Sequence, residues 1–259
     1  MFIYRLLLPL LCCFSLANAE IKEIISMNEV HEHIEKLLKN EIKILVIFDI
    51  DDTVATTKEE LGSSAWFYRE LETQQAQPGV DKQKVFNDIV AFYTHLHNHL
   101  PLKAVEKETP DFIAALQYHD IHCIALTARS LLIERTFEQL KHIDINFSRN
   151  APSQNDLTLS DNPELPARYT RGIIFNGDNN KGITLLKYLN AINYIPDHVI
   201  YIDDSLKQVQ RVHDALEAAG IPCSAFRYGF MDMFNKNLDT EKAGQQLEVF
   251  LKKHPLTTA

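Results

Sequence analysis

Two aspartates two residues apart, Asp49 and Asp51, follow directly on the apolar run Ile44-Leu45-Val46-Ile47-Phe48. A carboxylate can act as a nucleophile that forms an acyl-phosphate, and a second one beside it can give and take the protons such a reaction moves. Two carboxylates this close repel unless a cation lies between them, and their oxygens suit a hard ion such as Mg2+. Three more segments with chemical potential follow in chain order: Ile124-Ala125-Leu126-Thr127, Lys181-Gly182 and Tyr201-Ile202-Asp203-Asp204. Thr127 offers a hydroxyl beside the N–H groups of a turn, and Lys181 offers a compact cation against charge on a transferring group. A nucleophile, charge neutralisation and a proton donor are the requirements of phosphoryl transfer.

These side chains need a scaffold that brings distant segments to one edge. Ile44 to Phe48 reads as a strand buried on both faces, as in a parallel sheet, and such sheets keep their ligands at the carboxyl ends of the strands. Further strands are expected at Ile121 to Leu126, Ile173 to Phe175, Val199 to Ile202 and Ser224 to Arg227, with helices at Asp111 to Tyr118, Leu131 to His142, Gly182 to Leu189 and Leu206 to Ala219. This alternation predicts βαβ units. Thr109-Pro110 predicts a helix start with threonine as N-cap. Residues 20–40 carry Ile21, Ile24, Ile25, Val30, Ile34, Leu37 and Leu38 at helical spacing and predict an amphipathic helix. Residues 148–169, rich in Asn, Asp, Ser and Pro, predict an irregular surface stretch. From about Thr57 to Ala104 the pattern is helical and aromatic, broken at Gln77-Pro78-Gly79, and too long for an ordinary loop.

The four segments in this order resemble the haloacid dehalogenase (HAD) superfamily, most of whose members are magnesium-dependent phosphatases working through an aspartyl-phosphate. The resemblance implies an α/β three-layer sandwich of Rossmann type, with a parallel sheet in strand order 3-2-1-4-5. It implies a catalytic core over residues 20–56 and 105–259 and a small helical cap over 57–104. It implies Asp49 as nucleophile, Asp51 as general acid and base, and Thr127 and Lys181 as further catalytic groups that also bind the phosphoryl oxygens. Mg2+ would take a side-chain oxygen of Asp49, the backbone carbonyl of Asp51 and the carboxylate of Asp203, with Asp204 orienting a metal-bound water or Lys181. Thr127-Ala128-Arg129, followed by Arg135, resembles the second motif of small-cap members, where Arg129 would touch substrate or close the site with a salt bridge. The implied reaction is hydrolysis of a small phosphomonoester. A phosphotransferase or mutase, or a non-catalytic secreted binding or effector protein on the same fold, are the alternatives, whereas Asp51 speaks against a dehalogenase.

The chain's ends and composition set further bounds. Arg5, the apolar Leu6 to Leu16 and Ala17-Asn18-Ala19 predict a signal peptide over residues 1–19, so the protein is expected to be exported, periplasmic or secreted, without a membrane anchor once cleaved. Lysine and arginine number 26 against 35 acidic residues, a net charge of −9, or −10 without Arg5, which disfavours nucleic acid as a partner. Cys123 and Cys223 would lie three strand spacings apart, roughly 14 Å at about 4.8 Å each, beyond the reach of a disulfide. Of His95, His97 and His99, only His95 and His99 share a helix face, which argues against a zinc site. Trp66-Phe67-Tyr68 is expected to form the cap's own core rather than to stack on a substrate.

Overall fold

Strands with every residue buried need cover on both faces, and the architecture provides it. The computed structural model describes residues 21–160, 162 and 164–255; the leader expected over residues 1–19 lies outside the described residues. The strands are β1 (Ile21–Ile24), β2 (Ile44–Phe48), β3 (Ala55–Thr57), β4 (Leu102–Ala104), β5 (His122–Thr127), β6 (Leu157–Thr158), β7 (Arg168–Thr170), β8 (Ile173–Phe175), β9 (His198–Asp203) and β10 (Cys223–Tyr228). The helices are α1 (Met27–Leu38), α2 (Ser64–Gln75), α3 (Lys82–His99), α4 (Thr109–Tyr118), α5 (Ile133–Lys141), α6 (Lys181–Ala191), α7 (Leu206–Ala218), α8 (Asp232–Lys236) and α9 (Thr240–Lys253).

The main sheet runs β1-β10-β9-β2-β5-β8-β7-β6. Its middle five strands, β8-β5-β2-β9-β10, are all parallel and stand in the order 3-2-1-4-5 of the HAD-like fold. Phe48 pairs with Ile202 on one side and Ala125 on the other, so Asp49 leaves the sheet level with Asp203. One face packs Val46, Phe48, Cys123 and Ile202 against Val30 and Ile34 of α1, Ile113 and Leu116 of α4 and Leu140 of α5. The other packs Leu45, Ile47, Ile124 and Cys223 against Leu185 and Tyr188 of α6 and Val209, Val212 and Leu216 of α7. The two cysteines are free, as expected, and lie on opposite faces.

Three readings change. Ile21–Ile24 is not the start of a helix but an edge strand parallel to β10, and α1 begins only after Ser26, whose side chain accepts from the Asn28 N–H. Thr109 is inside α4, not its cap; Glu108 precedes the helix and makes no side-chain capping bond. The stretch 148–169 is not wholly irregular, since it carries β6 and the first residues of β7, which extend the sheet antiparallel. The β7–β8 turn places Arg171 and Gly172 at φ 47° and 82°, the paired positive values of a tight hairpin. A Cβ on Gly172 would also lie 2.3 Å from the Phe147 carbonyl oxygen. The insert stands on a two-stranded ribbon, β3 against β4, and its apolar cluster of Leu61, Trp66, Leu96 and Leu100 is completed by Ala243 and Phe250 of α9. A helix from the far end of the chain, which a boundary at residue 105 assigns to the core, therefore packs with the insert.

Candidate active site

The carboxyl ends of β2 and β9 and the first turn of α6 converge on one buried ammonium. Lys181 Nζ donates to Asp49 Oδ1 and to Asp203 Oδ2, each at 2.6 Å, and all three side chains are nearly without solvent contact. Gly182 makes this seat possible, because a Cβ there would lie 2.3 Å from the Arg211 carbonyl oxygen of α7 and lift α6 away. Asn180 caps α6, its Oδ1 accepting from Gly182 and Ile183 N–H, so Lys181 enters the site from a fixed helix end. Asp203 is held further by the hydroxyl of Tyr201 and by the N–H of Ser205 at 2.8 Å. Burial pushes the Asp49 carboxyl up to about 7; Lys181 opposes this and the charges of Asp203 and Asp51 add to it. Lys181 is raised: burial alone would lower it, but Asp203 and Asp49 outweigh that. Asp204 is raised well above the usual carboxylate range by burial and by Asp49 and Asp203.

Asp51 has a different partner. Arg129 grips it with two parallel bonds, Nε to Oδ2 at 2.8 Å and NH2 to Oδ1 at 2.7 Å. Burial would raise Asp51, but the guanidinium's charge and hydrogen bonds bring the net shift below its ordinary value. Of the two expectations for Arg129, the structure places it in the salt bridge. The Thr127 hydroxyl oxygen accepts from the Arg129 N–H at 3.1 Å, which fixes the turn through Ala128 and leaves the hydroxyl proton to donate elsewhere. Thr53 and Asp52 hold the turn after β2: Thr53 Oγ1 accepts from the Asp204 N–H, and Asp52 accepts from Thr56 and from Asn235 of α8.

The donor set fits a hard divalent cation. Carboxylate oxygens of Asp49, Asp203 and Asp204 lie within 4.8 Å of one another, the first two residues buried and the third half-buried, and when all three are ionised they outnumber the charge of Lys181. Asp203 spends three of its roughly four acceptor sites on Lys181, Tyr201 and Ser205, which leaves about one for a metal. The side chain of Asp51 is occupied by Arg129, but its backbone carbonyl is not part of that pair. Among the described residues the other close-set group of ligand type is His213, Asp214 and Glu217 on α7.

The remaining candidates divide. Trp66 is buried in the cap cluster with its ring 6.0 Å from that of Phe92, whereas Tyr68 is 67% exposed. His99 stacks on His254, His95 and His99 meet Phe250 edge-on, and of the three only His97 is buried, 2.9 Å from the Gly62 carbonyl oxygen. Sequence reasoning missed the groups behind Arg129, whose NH1 donates to Thr136 Oγ1 at 3.1 Å and Gln139 Oε1 at 2.9 Å. Thr136 had a signal, a hydroxyl inside the apolar stripe Ile133, Phe137, Leu140; Gln139 had none.

Residues 23–253 match the family described as "Protein of unknown function (DUF2608)". A protein of Chlamydia muridarum named "Putative outer membrane protein" is 26% identical over 221 residues, covering 82% of this chain and 79% of its own. One of the same name from Chlamydia trachomatis is 27% identical over 205 residues, covering 78% and 75%. Among solved structures, a HAD-superfamily hydrolase of subfamily IA from Geobacter sulfurreducens is 14% identical with a TM-score of 0.38, covering 71% of this chain and 89% of that one. The HAD domain of the effector protein Lem4 from Legionella pneumophila, solved as an inactive mutant, is 14% identical with a TM-score of 0.37, covering 83% and 95%. The fold assignment rests on the strand order and register above.

Proposed function

The chain belongs to the DUF2608 family, and from its site we propose that it is an exported Mg2+-dependent phosphohydrolase that cleaves a small phosphomonoester through an aspartyl-phosphate. The observation that carries this reading is the convergence of Asp49 and Asp203 on Lys181, with a carboxylate oxygen of Asp204 within 4.8 Å of theirs, at the carboxyl end of a HAD-ordered sheet. Mg2+, held by Asp49, Asp203, Asp204 and the Asp51 backbone carbonyl, would neutralise charge on the phosphoryl oxygens. Asp49 attacks phosphorus as the bond to the leaving oxygen breaks, and Asp51 supplies the proton that oxygen needs. Water then attacks the aspartyl-phosphate, Asp51 takes its proton, and the phosphorus–Asp49 bond breaks. Lys181 and the Thr127 hydroxyl offset charge on the phosphoryl group, and Ala128 and Arg129 line the turn it faces. The names of the Chlamydia relatives and the sequence of residues 1–19 support export, and no helix among the described residues is long and apolar enough to cross a membrane.

One observation favours the second reading, a binding or effector protein without catalysis: the Arg129 fork occupies the carboxylate that should serve as acid. Hydrolysis of 4-nitrophenyl phosphate separates the two. The phosphatase reading expects turnover with Mg2+ that vanishes with chelator and returns on adding the metal. Full activity in chelator would overturn the mechanism, and no hydrolysis of any phosphomonoester would favour the binding protein.

A further inference from the structure

Asp51 is aimed from a distance. Arg129 makes two bonds to it, and the guanidinium's other edge is anchored on α5 by Thr136 and Gln139. Gln139 is 2% exposed and its amide is fully engaged. Oε1 accepts from Arg129 NH1 at 2.9 Å, and Nε2 donates to the carbonyl oxygens of His97 and Leu100, each at 3.0 Å. These partners fix the amide's orientation, because carbonyls can face only its NH2 and a guanidinium only its oxygen. Both carbonyls lie at the C-terminal end of α3, where helix carbonyls lack intrahelical partners. An unbroken path of hydrogen bonds thus runs from the insert through Gln139 and Arg129 to Asp51.

We propose that Gln139 is a positioning residue that sets the aim of Asp51 through Arg129. The inference rests on the phosphatase reading of the same site. A plainer role, capping α3, explains only half of the amide. Arg135 already reaches the same two carbonyls, at 3.4 and 3.3 Å, and a cap has no need of an oxygen turned to Arg129. Nothing covalent is asked of Gln139. It restricts the guanidinium, and the guanidinium restricts the carboxylate.

The test compares two substitutions in the full chain with Mg2+, on an alkyl phosphate and on 4-nitrophenyl phosphate. Gln139→Met removes both polar ends at similar length, while Gln139→Glu keeps an acceptor for Arg129 but cannot donate to the carbonyls. An alkyl leaving oxygen needs the proton and a nitrophenolate hardly does, so Gln139→Met should lower kcat on the alkyl ester on the order of 10-fold more than on the aryl ester, with KM little changed. Gln139→Glu should recover most of that difference. The ratio between esters is independent of how much of a variant is folded. If Gln139→Met does not fold, Thr136→Val removes the other anchor of Arg129 without touching α3 and should shift the ratio in the same direction. Equal losses on both esters, or Gln139→Glu failing like Gln139→Met, would reduce Gln139 to a helix cap and overturn the inference while leaving the phosphatase reading intact. A wild-type chain silent on both esters would overturn that reading and the inference with it.

Discussion

The two halves of the carboxylate pair sit two residues apart and are held by different parts of the molecule. Asp49 is tied to Lys181 and through it to Asp203, so its surroundings come from β2, β9 and α6, the sheet and a helix packed on it. Asp51 is tied to Arg129, and behind Arg129 the bonds lead to α5 and on to α3 of the insert. The electrostatics follow the same division: Asp49 is raised and Asp51 is lowered. In the proposed reaction this separates a nucleophile that must not move from an acid and base that must serve two steps. The sheet fixes the one, and the seam between core and insert adjusts the other.

The comparison breaks most visibly at Lys181. Lys181→Met leaves the buried Asp49 and Asp203 without their cation, so hydrolysis should fall to background. Stability in chelator should drop by about 3–5 kcal/mol, the usual cost of breaking a buried pair, as read by urea unfolding. A variant of wild-type stability would mean that Lys181 is not the partner of these carboxylates in solution.

A smaller loss is expected on the other side. Asp51→Asn should slow hydrolysis of an alkyl phosphate by roughly 10²–10⁴-fold and of 4-nitrophenyl phosphate by clearly less, because the aryl leaving group needs little protonation. Single-turnover rates on the two esters decide it. Equal losses would place Asp51 outside the proton transfer.

The smallest effect is a pH dependence of the seam. His97 is buried beside Gly62, and burial, with the charge of Arg129, lowers its pKa from 6.5 to about 4. The unfolded chain therefore binds the extra proton first as pH falls. The stability contribution is complete above about 6.5 and is lost toward 4, at most about 3 kcal/mol. His198, lowered to about 4 by burial and by His33, acts in the same window, so the wild type must be compared with His97→Gln. Urea unfolding at pH 7 and 4.5 should show a smaller drop in the variant. An identical drop would remove His97 from the account.

What was legible in the sequence followed from burial. The β2, β5, β8 and β9 segments are apolar runs, and the charged or hydroxyl ends of β2, β5 and β9 mark the carboxyl edge, so a parallel sheet could be anticipated, while its central order and the meeting of Asp49, Lys181 and Asp203 were what the resemblance to the HAD superfamily implied. Ile21–Ile24 misled because an edge strand with one strongly buried residue, Ile24, leaves the same spacing as a helix. The packing of α9 on the insert was invisible because it joins residues far apart in the chain, such as Leu100 with Ala243 and Leu61 with Phe250, which no local period records. Gln139 was invisible for another reason: a glutamine on a short amphipathic helix looks like a solvated surface residue until the insert is seen to cover it.

The central claim is that Asp49 carries the phosphoryl group. Acid quench of the wild-type protein during turnover of 4-nitrophenyl phosphate with Mg2+, followed by peptide mapping by mass spectrometry, tests it directly. The account predicts a phosphoryl adduct on Asp49 that is absent in Asp49→Asn and absent in chelator, together with loss of turnover in both. Continued hydrolysis by Asp49→Asn, or a phosphoryl group found on any other residue, would contradict it.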